Sequence, residues 1–361
     1  MNELKKTVLH DAHAALGALM APFGGWSMPI QYEGILAEHR ACRGGAALFD
    51  ICHMGEFLFR GDLAALDPVF SFPPSSVAVG RSRYGFLLNE TGGIIDDLII
   101  FRIGEQEAMV VVNAATIDND YAVISSRLPQ GADFTDISRA TGKLDLQGPL
   151  SREVLAAAAG EQVRELRYFR FLKTEIAGAP AIISRTGYTG ELGYEIFLPT
   201  DRTPELWERL LADPRVKPAG LGARDVLRLE AGYSLYGSDI DASTSPLEAG
   251  LEKFVDLAGD FTGKQALLRQ REQGVPCSKI AFRASSRRSP RHGYEIRLGG
   301  RRAGEVTSGV FSPVLACGIG MGYVEGEAPA TGTAIEVCHE GVTIAATVCD
   351  LPFHLGSSLR S

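Results

Sequence analysis

Two adjacent carboxylates, Asp96 and Asp97, stand inside the apolar segment Gly-Gly-Ile-Ile-Asp-Asp-Leu-Ile-Ile-Phe that covers residues 92–101. Burying a carboxylate without a partner is costly, so such a pair needs a reason. Because successive side chains of a strand point to opposite faces, the two cannot both enter one pocket. We therefore expect one to satisfy nearby backbone groups and the other to be free for chemistry. On this segment alone, an acidic pair at a wet strand end explains the pattern equally well.

Three other sequence patterns that resemble functional motifs are incomplete. Residues 259–265 resemble a phosphate loop but have one spacer too few and no Ser or Thr after the lysine, so we predict a turn into a helix. Residues 232–237 have the wrong spacing for a nucleophile elbow, which makes Ser234 an ordinary residue. No histidine has helical metal spacing with a supporting carboxylate, so we predict no metal site and structural roles for His39 and His53.

The elements that must position the acidic pair mix hairpins with helices. Glycine supplies the turn before the acidic strand, as in a β-hairpin, and Thr116 is a candidate N-cap for a following helix. This mixture favours an α+β fold over a regular βαβ succession. The predicted strands include 56–60, 84–89, 94–103, 109–113 and 143–147, and the predicted helices include 33–42, 151–159, 204–212 and 224–235.

From Cys277 onward the pattern changes to short strands with frequent turns. Such spacing predicts a separate all-β barrel or sandwich. The polar stretch near 270–278 is the predicted boundary, which divides the chain into 1–270 and 278–361.

Composition excludes several functional classes. The 361 residues are 45% hydrophobic and 22% charged, as in soluble globular proteins, and are long enough for two or three domains. A net charge of −8 argues against a broad nucleic-acid or anionic-membrane surface. No apolar run approaches the length of a membrane span, and no signal-peptide core is present. Six scattered cysteines without paired spacing indicate reduced thiols, so we expect a cytoplasmic protein.

Seven segments, in order from about residue 8 to residue 353, carry a family resemblance. They are 23–29 (FGGWSMP), 48–54 (LFDICHM), 92–98 (GGIIDDL), 110–114 (VVVNA), 184–195 (SRTGYTGELGYE), 220–232 (GLGARDVLRLEAG) and 306–313 (VTSGVFSP). Together they resemble the aminomethyltransferase, or T-protein, family of the glycine cleavage system. One such motif would be weak evidence, whereas seven in register are specific.

The resemblance implies a fold and a reaction. The fold is the three-lobed folate-binding aminomethyltransferase fold, with two intertwined α+β domains, a C-terminal all-β barrel domain and folate in a central hole. The reaction moves an aminomethyl carbon from the lipoyl arm of the H-protein to tetrahydrofolate, giving 5,10-methylenetetrahydrofolate and ammonia. Tetrahydrofolate would be the co-substrate, lipoylated H-protein the partner, and no metal would be required.

The resemblance also assigns roles to residues. Asp97 matches the catalytic aspartate, since a fixed carboxylate stabilises a developing positive charge. Glu195 matches the residue that accepts the paired N–H donors of the pterin. Arg224 matches a ligand-contacting position, and a guanidinium suits the carboxylates of the folate tail. The remaining folate-binding positions by resemblance are Met54, Tyr84, Asn113, Tyr188 and Arg360.

Structural readings remain open for several of these residues. In the structural alternative, Glu195 is an exposed strand carboxylate, and Arg224 forms an ion pair with Asp225 or Glu230. Met54 and Tyr84 fit plain core packing nearly as well. The chain also departs from the common family pattern at Cys52, Phe101, Lys253 and Cys317-Gly318.

Two other functions fit a folate pocket. One is a tetrahydrofolate-dependent demethylase of a small methyl donor, with a different entrance for that donor. The other is a non-catalytic folate-binding accessory protein, which retention of the acidic strand, Glu195 and Arg224 disfavours.

A basic cluster begins the C-terminal domain, against the acidic background of the chain. It has two interpretations, a solvated loop or a docking patch for an acidic carrier. Its members are Arg283, Arg287, Arg288, Arg291 and His292.

Overall fold

The computed structural model describes residues 3–359. Its strands fall into a three-stranded N-terminal sheet, a six-stranded sheet, a five-stranded sheet and a closed barrel. The α-helices are α1 His10–Ala15, α2 Ile35–Gly44, α3 Ile117–Arg127, α4 Ser151–Ala159, α5 Thr203–Leu211, α6 Leu221–Glu230 and α7 Lys264–Gln273. The first ten strands are β1 Lys5–Lys6, β2 Leu19–Phe23, β3 Trp26–Gln31, β4 Ala46–Asp50, β5 Gly55–Arg60, β6 Ser82–Leu88, β7 Ile94–Gly104, β8 Glu107–Val112, β9 Asp133–Asp136 and β10 Thr141–Gln147. The others are β11 Phe171–Ile176, β12 Ala179–Ser184, β13 Gly193–Pro199, β14 Val216–Pro218, β15 Cys277–Ala284, β16 Glu295–Leu298, β17 Arg301–Ser312, β18 Cys317–Glu325, β19 Ala334–His339 and β20 Val342–Cys349.

The six-stranded sheet has the order β11-β12-β13-β10-β4-β14. Alternate residues of its strands lie on one face and pack with α4 and α5 into the largest apolar cluster. Leu144, Leu146 and Ile196 are examples. The opposite face carries Lys143, Asp145 and other polar side chains. This division follows from alternation, because odd and even positions of a strand face different neighbours.

The five-stranded sheet has the order β6-β7-β8-β5-β9. The hairpin between β6 and β7 turns at Gly92, which has a φ of 86°. The Asn89 side chain accepts hydrogen bonds from the N–H groups of Thr91 at 3.0 Å and Gly93 at 2.9 Å. One face of this sheet packs against apolar residues of α3.

The two sheets meet through their other faces. Phe101 on β7 lies 5.3 Å from Phe197 on β13 and 5.4 Å from Phe171 on β11, measured between ring centroids. Met109 and Val111 belong to the same buried cluster. This contact fixes the acidic strand β7 opposite β10 and β13, which carry the polar face of the larger sheet.

The C-terminal strands close a barrel in the order β15-β18-β17-β16-β19-β20. Helix α6 connects the barrel to the sheets, because the Arg228 guanidinium donates to Ser308 Oγ on β17 at 2.7 Å and to Asp239 at 2.6 Å. The mixed helix and sheet content and the barrel confirm the predicted α+β class with a C-terminal all-β domain.

Several predicted bounds were wrong. The helix predicted over 224–235 begins at Leu221 and ends at Glu230, since Gly232 has a φ of 76° and leaves the helical region. Thr116 is the N-cap residue of α3, but its hydroxyl donates back to Asn113 O at 3.0 Å and makes no capping bond. Strands β2, β3 and β4 were not predicted at all.

Candidate active site

Asp96 and Asp97 lie on opposite faces of β7. Asp96 is fully buried, and its Oδ2 accepts the backbone N–H of Asn113 at 2.9 Å. Asp97 is half-buried on the other face, which β7 presents to the six-stranded sheet. The arrangement agrees with the expectation that one carboxylate satisfies backbone and the other remains available.

Asp97 is held by two side-chain donors. Tyr84 Oη donates to its Oδ2 at 2.9 Å, and Asn113 Nδ2 donates to its Oδ1 at 2.9 Å. The same amide donates to Asp96 Oδ1 at 2.8 Å, so Asn113 joins the two carboxylates. Burial and the nearby Asp96 raise the pKa of Asp97 to about 7, against the lowering effect of the Tyr84 and Asn113 hydrogen bonds.

Asp96 has a second acidic neighbour on α3. Burial and the Asp120 carboxyl raise the pKa of Asp96 well above its ordinary value. Burial also raises the pKa of Asp120 to about 7. Asp97 therefore stands in front of a buried acidic pair, which makes its own charge more costly.

The raised pKa of Asp97 predicts a pH dependence. If Asp97 has the catalytic role that the family resemblance implies, kcat/KM should rise with pH through about 7 and level above it, because only the ionised carboxylate stabilises positive charge. Below that pKa the rate constant should fall about tenfold per pH unit. A profile of kcat/KM from pH 5.5 to 9 measures this, and a plateau extending down to pH 5.5 would contradict the assignment.

Glu195 lies on β13, on the face that meets the five-stranded sheet. Its Oε1 is 3.1 Å from Lys143 Nζ, and its Oε2 accepts a hydrogen bond from Thr186 Oγ1. Burial alone would raise the pKa of Glu195, but Lys143, Thr186 and Arg224 outweigh burial and hold the pKa below its ordinary value. The carboxyl is buried and charged, in contrast to the exposed strand carboxylate of the alternative reading.

Arg224 forms an ion pair with a residue that was not among the partners considered from the sequence. Its Nη1 donates to Asp145 Oδ2 on β10. The alternative interpretation, in which Arg224 pairs with Asp225 or Glu230, is not what the structure shows, because both carboxylates accept from other arginines. Asp225 accepts from Arg228 at 2.8 Å, and Glu230 accepts from Arg43 at 2.7 Å.

Met54 and Tyr188 border this charged group. Lys143 Nζ lies 3.5 Å from Met54 Sδ. The Arg224 guanidinium lies 5.1 Å from the centroid of the Tyr188 ring, and Tyr188 Oη donates to Ser234 O at 2.5 Å. At Gly187 a Cβ would lie 2.1 Å from the Gln147 amide nitrogen, so packing against Gln147 requires glycine there. Met54 and Tyr188 are half-buried.

Arg360 lies outside the described residues. The segment that leads to it is fixed, since Glu191 Oε2 accepts the N–H of Ser358 at 2.8 Å and Arg185 Nη2 donates to Leu359 O at 3.1 Å. The described chain therefore ends against the turn that carries Tyr188.

Four residues close to Glu195 and Arg224 were given no functional role from the sequence. Lys143 and Asp145 alternate with Leu144 and Leu146 in β10, a pattern that looked like an ordinary strand. The other two are His53 and Glu56, and both are buried. Among the described residues, neither His53 Nδ1 nor Glu56 Oε1 has a hydrogen-bond partner. Burial lowers the pKa of His53 to about 4 and raises that of Glu56 to about 8.

Neither a metal-binding cluster nor a membrane-spanning helix is found among the described residues. Over residues 3–359, no group of three or more His, Cys, Asp or Glu side chains is placed to hold a metal ion. In the same part of the chain, no helix has the length and apolar character needed to cross a membrane.

Two family models match the chain. The GCVT N-terminal domain matches residues 9–259, and the glycine cleavage T-protein C-terminal barrel domain matches residues 280–354. An aminomethyltransferase of Halothermothrix orenii is 41% identical over 97% of this chain and 100% of its own length. An aminomethyltransferase of Rubrobacter xylanophilus is 43% identical over 97% of this chain and 94% of its own length.

A solved structure agrees with the sequence comparisons. The crystal structure of the glycine cleavage system aminomethyltransferase T from Bartonella henselae superposes with a TM-score of 0.93. It covers 98% of this chain and 99% of its own, at 36% identity.

Proposed function

The chain belongs to the glycine cleavage T-protein family and is an aminomethyltransferase, and we propose that Asp97 and Glu195 divide its tetrahydrofolate-dependent chemistry between them. The observation that carries the proposal is that the surroundings of these two carboxylates shift their pKa values in opposite directions. The pKa of Asp97 is raised to about 7 and that of Glu195 is lowered. Environments that push the pKa values of two acids apart assign them different roles.

The two carboxylates belong to one contiguous group of side chains. Asp97 accepts from Tyr84, and the Tyr188 phenol is close enough to Asp97 and Arg224 for both charges to influence its pKa, which burial raises. Arg224 forms an ion pair with Asp145, and Asp145 lies directly opposite Glu195 on β13. A flat ligand that spans this group has one end at Glu195 and the other at Asp97.

Glu195 is suited to recognise the pterin ring. An ionised carboxylate has about four lone-pair sites, of which Lys143 and Thr186 use one on each oxygen. Each oxygen therefore keeps one site for an N–H donor, which matches a ring N–H and an amino group lying in one plane. Such charge-assisted pairs are stronger than neutral hydrogen bonds.

Asp97 is suited to the reacting end. The transferred carbon loses its bonds to sulfur and to nitrogen and gains two bonds to folate nitrogens, while two N–H protons pass to the departing ammonia and thiol. Positive charge develops on that carbon, and the Asp97 carboxylate, oriented by Tyr84 and Asn113, stabilises it. No covalent nucleophile is required.

The other predicted folate-binding residues complete this proposal as ligand contacts. Arg224 uses one N–H on Asp145 and has further donors for the ligand. Arg360 lies outside the described residues and stays a predicted ligand contact by resemblance, and the remaining residues form the walls. The wall residues are Met54, Tyr84, Asn113 and Tyr188.

We further propose the partner, location and domain division. The donor is the lipoylated H-protein, the protein acts in the cytoplasm, and the functional units are 1–270 and 278–361. The closed barrel of β15–β20 and the separate family matches support this division. A demethylase or accessory-protein function has no support from the relatives compared above, which are aminomethyltransferases.

The carrier proposal predicts an effect of surface charge. Arg287, Arg288, Arg291 and His292 are exposed in the loop after β15, whereas Arg283 is half-buried and donates to Phe353 O at 2.9 Å. If an acidic carrier docks on this loop, reversing the charge of the three exposed arginines should raise KM for the carrier and leave folate affinity unchanged. Screening over about 8 Å at physiological salt should likewise weaken carrier-dependent turnover as salt rises.

A charge-matched control is available on the surface. Arg269, Arg301 and Arg302 are also exposed, and their reversal changes the net charge equally. Steady-state kinetics at low salt should show a raised KM only for the loop variant. Equal KM values for the two triple variants would remove the loop from the docking surface.

The function is tested by supplying donors separately. The purified chain, tetrahydrofolate and an aminomethyl-loaded lipoyl carrier should give 5,10-methylenetetrahydrofolate and ammonia in equal amounts. Carrier without the aminomethyl group, and small N-methyl or S-methyl donors, should give neither product. Folate methylation from a small donor at a rate above that from the carrier would overturn the proposed function.

A further inference from the structure

Four charged side chains form a buried group between β10, β13 and α6, which we call the charge quartet: Lys143, Asp145, Glu195 and Arg224. The antiparallel register places Asp145 directly opposite Glu195. Lys143 is two residues before Asp145 and therefore points to the same face. The quartet contains two positive and two negative groups.

Each carboxylate of the quartet has its own cation. Two like charges directly opposite on neighbouring strands repel each other. Lys143 neutralises Glu195 at 3.1 Å, and Arg224 reaches across from α6 to neutralise Asp145. The side chains of Lys143, Glu195 and Asp145 are only 2%, 6% and 0% exposed, so loss of one partner leaves a buried charge uncompensated.

The carboxylate of Glu195 is fixed from both sides. Lys143 occupies a site on Oε1, and Thr186 Oγ1 donates to Oε2. Lys143 is itself held, because its Nζ lies 4.9 Å from the centroid of the Phe197 ring and 3.5 Å from Met54 Sδ. The remaining lone pairs of the carboxylate are therefore held in one orientation.

We propose that Lys143 and Thr186 are positioning residues, which keep the Glu195 carboxylate ionised and oriented to accept the two N–H donors of the pterin. This inference rests on the proposed function and deepens it. It assigns to two residues outside the predicted folate site the task of making that site an acceptor of fixed geometry.

The charges that face Glu195 determine how the loss of Lys143 would change the pKa of Glu195. Lys143 and Asp145 face it from β10, Arg224 from α6, Glu56 from β5 and Tyr168 from the segment before β11. Without Lys143, burial and the acidic neighbours favour the neutral carboxyl, so the pKa of Glu195 should rise above its ordinary value. A protonated Glu195 has one acceptor fewer for the ligand.

The test is the pH dependence of binding by Lys143→Met. Calorimetric titration with tetrahydrofolate, kept reduced under argon, gives Kd for the variant and the wild type between pH 5.5 and 8. The ratio of the two Kd values should grow as pH falls, by about tenfold per unit below the new pKa of Glu195. A merely structural role for Lys143 would give a ratio that does not change with pH, and that result would overturn the proposal.

Three variants complete the design. Lys143→Arg keeps the charge and should keep the ratio independent of pH. Lys173→Met removes an exposed lysine of the same sheet and should leave Kd unchanged. Thr186→Val removes the donor to Oε2 together with the hydroxyl contact to Ser184 Oγ. It should give a smaller pH-dependent loss, and it decides the question if Lys143→Met does not fold. A pH-independent loss in Thr186→Val would count against the proposal.

The wild-type titration separates the two claims. If the wild type does not bind tetrahydrofolate, the proposed function fails, and the inference fails with it. If the wild type binds and the variants show no pH-dependent loss, the positioning proposal alone is overturned.

Discussion

Replacing Asp97 by Asn is expected to lower kcat by a factor of about 10² to 10³ while Kd for tetrahydrofolate changes little. The substitution keeps the shape of the side chain and removes the negative charge that faces the transferred carbon. The factor is that for loss of one preorganised electrostatic group in a water-poor site. Single-turnover rates of 5,10-methylenetetrahydrofolate formation, with calorimetric Kd values alongside, measure both quantities.

Asp96→Asn is the matched control for this prediction. Asp96 faces the core beside α3, donates no hydrogen bond to Asp97 and is joined to it through Asn113, although its proximity raises the pKa of Asp97. Its replacement should act mainly on stability and on the orientation of Asn113, with a smaller loss of kcat than Asp97→Asn. A larger loss of kcat for Asp96→Asn would mean that the roles of the two carboxylates are reversed.

The second large effect is expected at Glu195. Glu195→Gln keeps the size of the side chain but replaces one acceptor oxygen by an amide donor, which repels an N–H group of the pterin. Tetrahydrofolate binding should weaken by about 1.5–3 kcal/mol, the range for a hydrogen bond to a charged group. Calorimetric titration at pH 7.5 measures the loss, and kcat at saturating folate should change much less than it does in Asp97→Asn.

The control for Glu195 is a carboxylate of similar burial with no part in ligand binding. Asp239 is unsuitable because it accepts a hydrogen bond from Arg228. Glu248 is suitable, since it is 6% exposed and accepts the N–H of Ser245 at 2.7 Å. Glu248→Gln should leave Kd for tetrahydrofolate unchanged. Unchanged affinity in Glu195→Gln as well would remove Glu195 from the pterin site.

The local features of the fold were predictable because their signals are local. Helix α4 was predicted over 151–159 and has these bounds, since it has a clear apolar period and is bounded by turn residues. Strand alternation predicted that Asp96 and Asp97 face opposite sides, and the family resemblance indicated Asp97 as the one that faces the site. The end of α6 was misplaced because the apolar period continues past Gly232, where the backbone turns away from the helical region.

Contacts between distant parts of the chain were not predictable in the same way. The partner of Arg224 is Asp145, 79 positions earlier. The two meet because Leu227 of α6 packs in one cluster with Ala47 and Phe49 of β4, the strand that pairs with β10. Charged residues within a strand usually indicate a solvent-facing side, so Lys143 and Asp145 gave no sign of a buried quartet. Residue spacing suggested which side chains have functional chemistry, but the packing of the two sheets determined how each is charged and held.

The most direct test of the central claim is a crystal structure of the complex with tetrahydrofolate, measuring the distances from the ligand to the two carboxylates. The account predicts that both Glu195 oxygens lie within about 2.7–3.2 Å of pterin nitrogens, and that Asp97 lies at the opposite end beside the folate nitrogens that receive the carbon. Lys143 and Thr186 should keep their contacts with Glu195. A ligand whose pterin ring contacts neither Glu195 oxygen, or whose reacting nitrogens lie away from Asp97, would contradict the account.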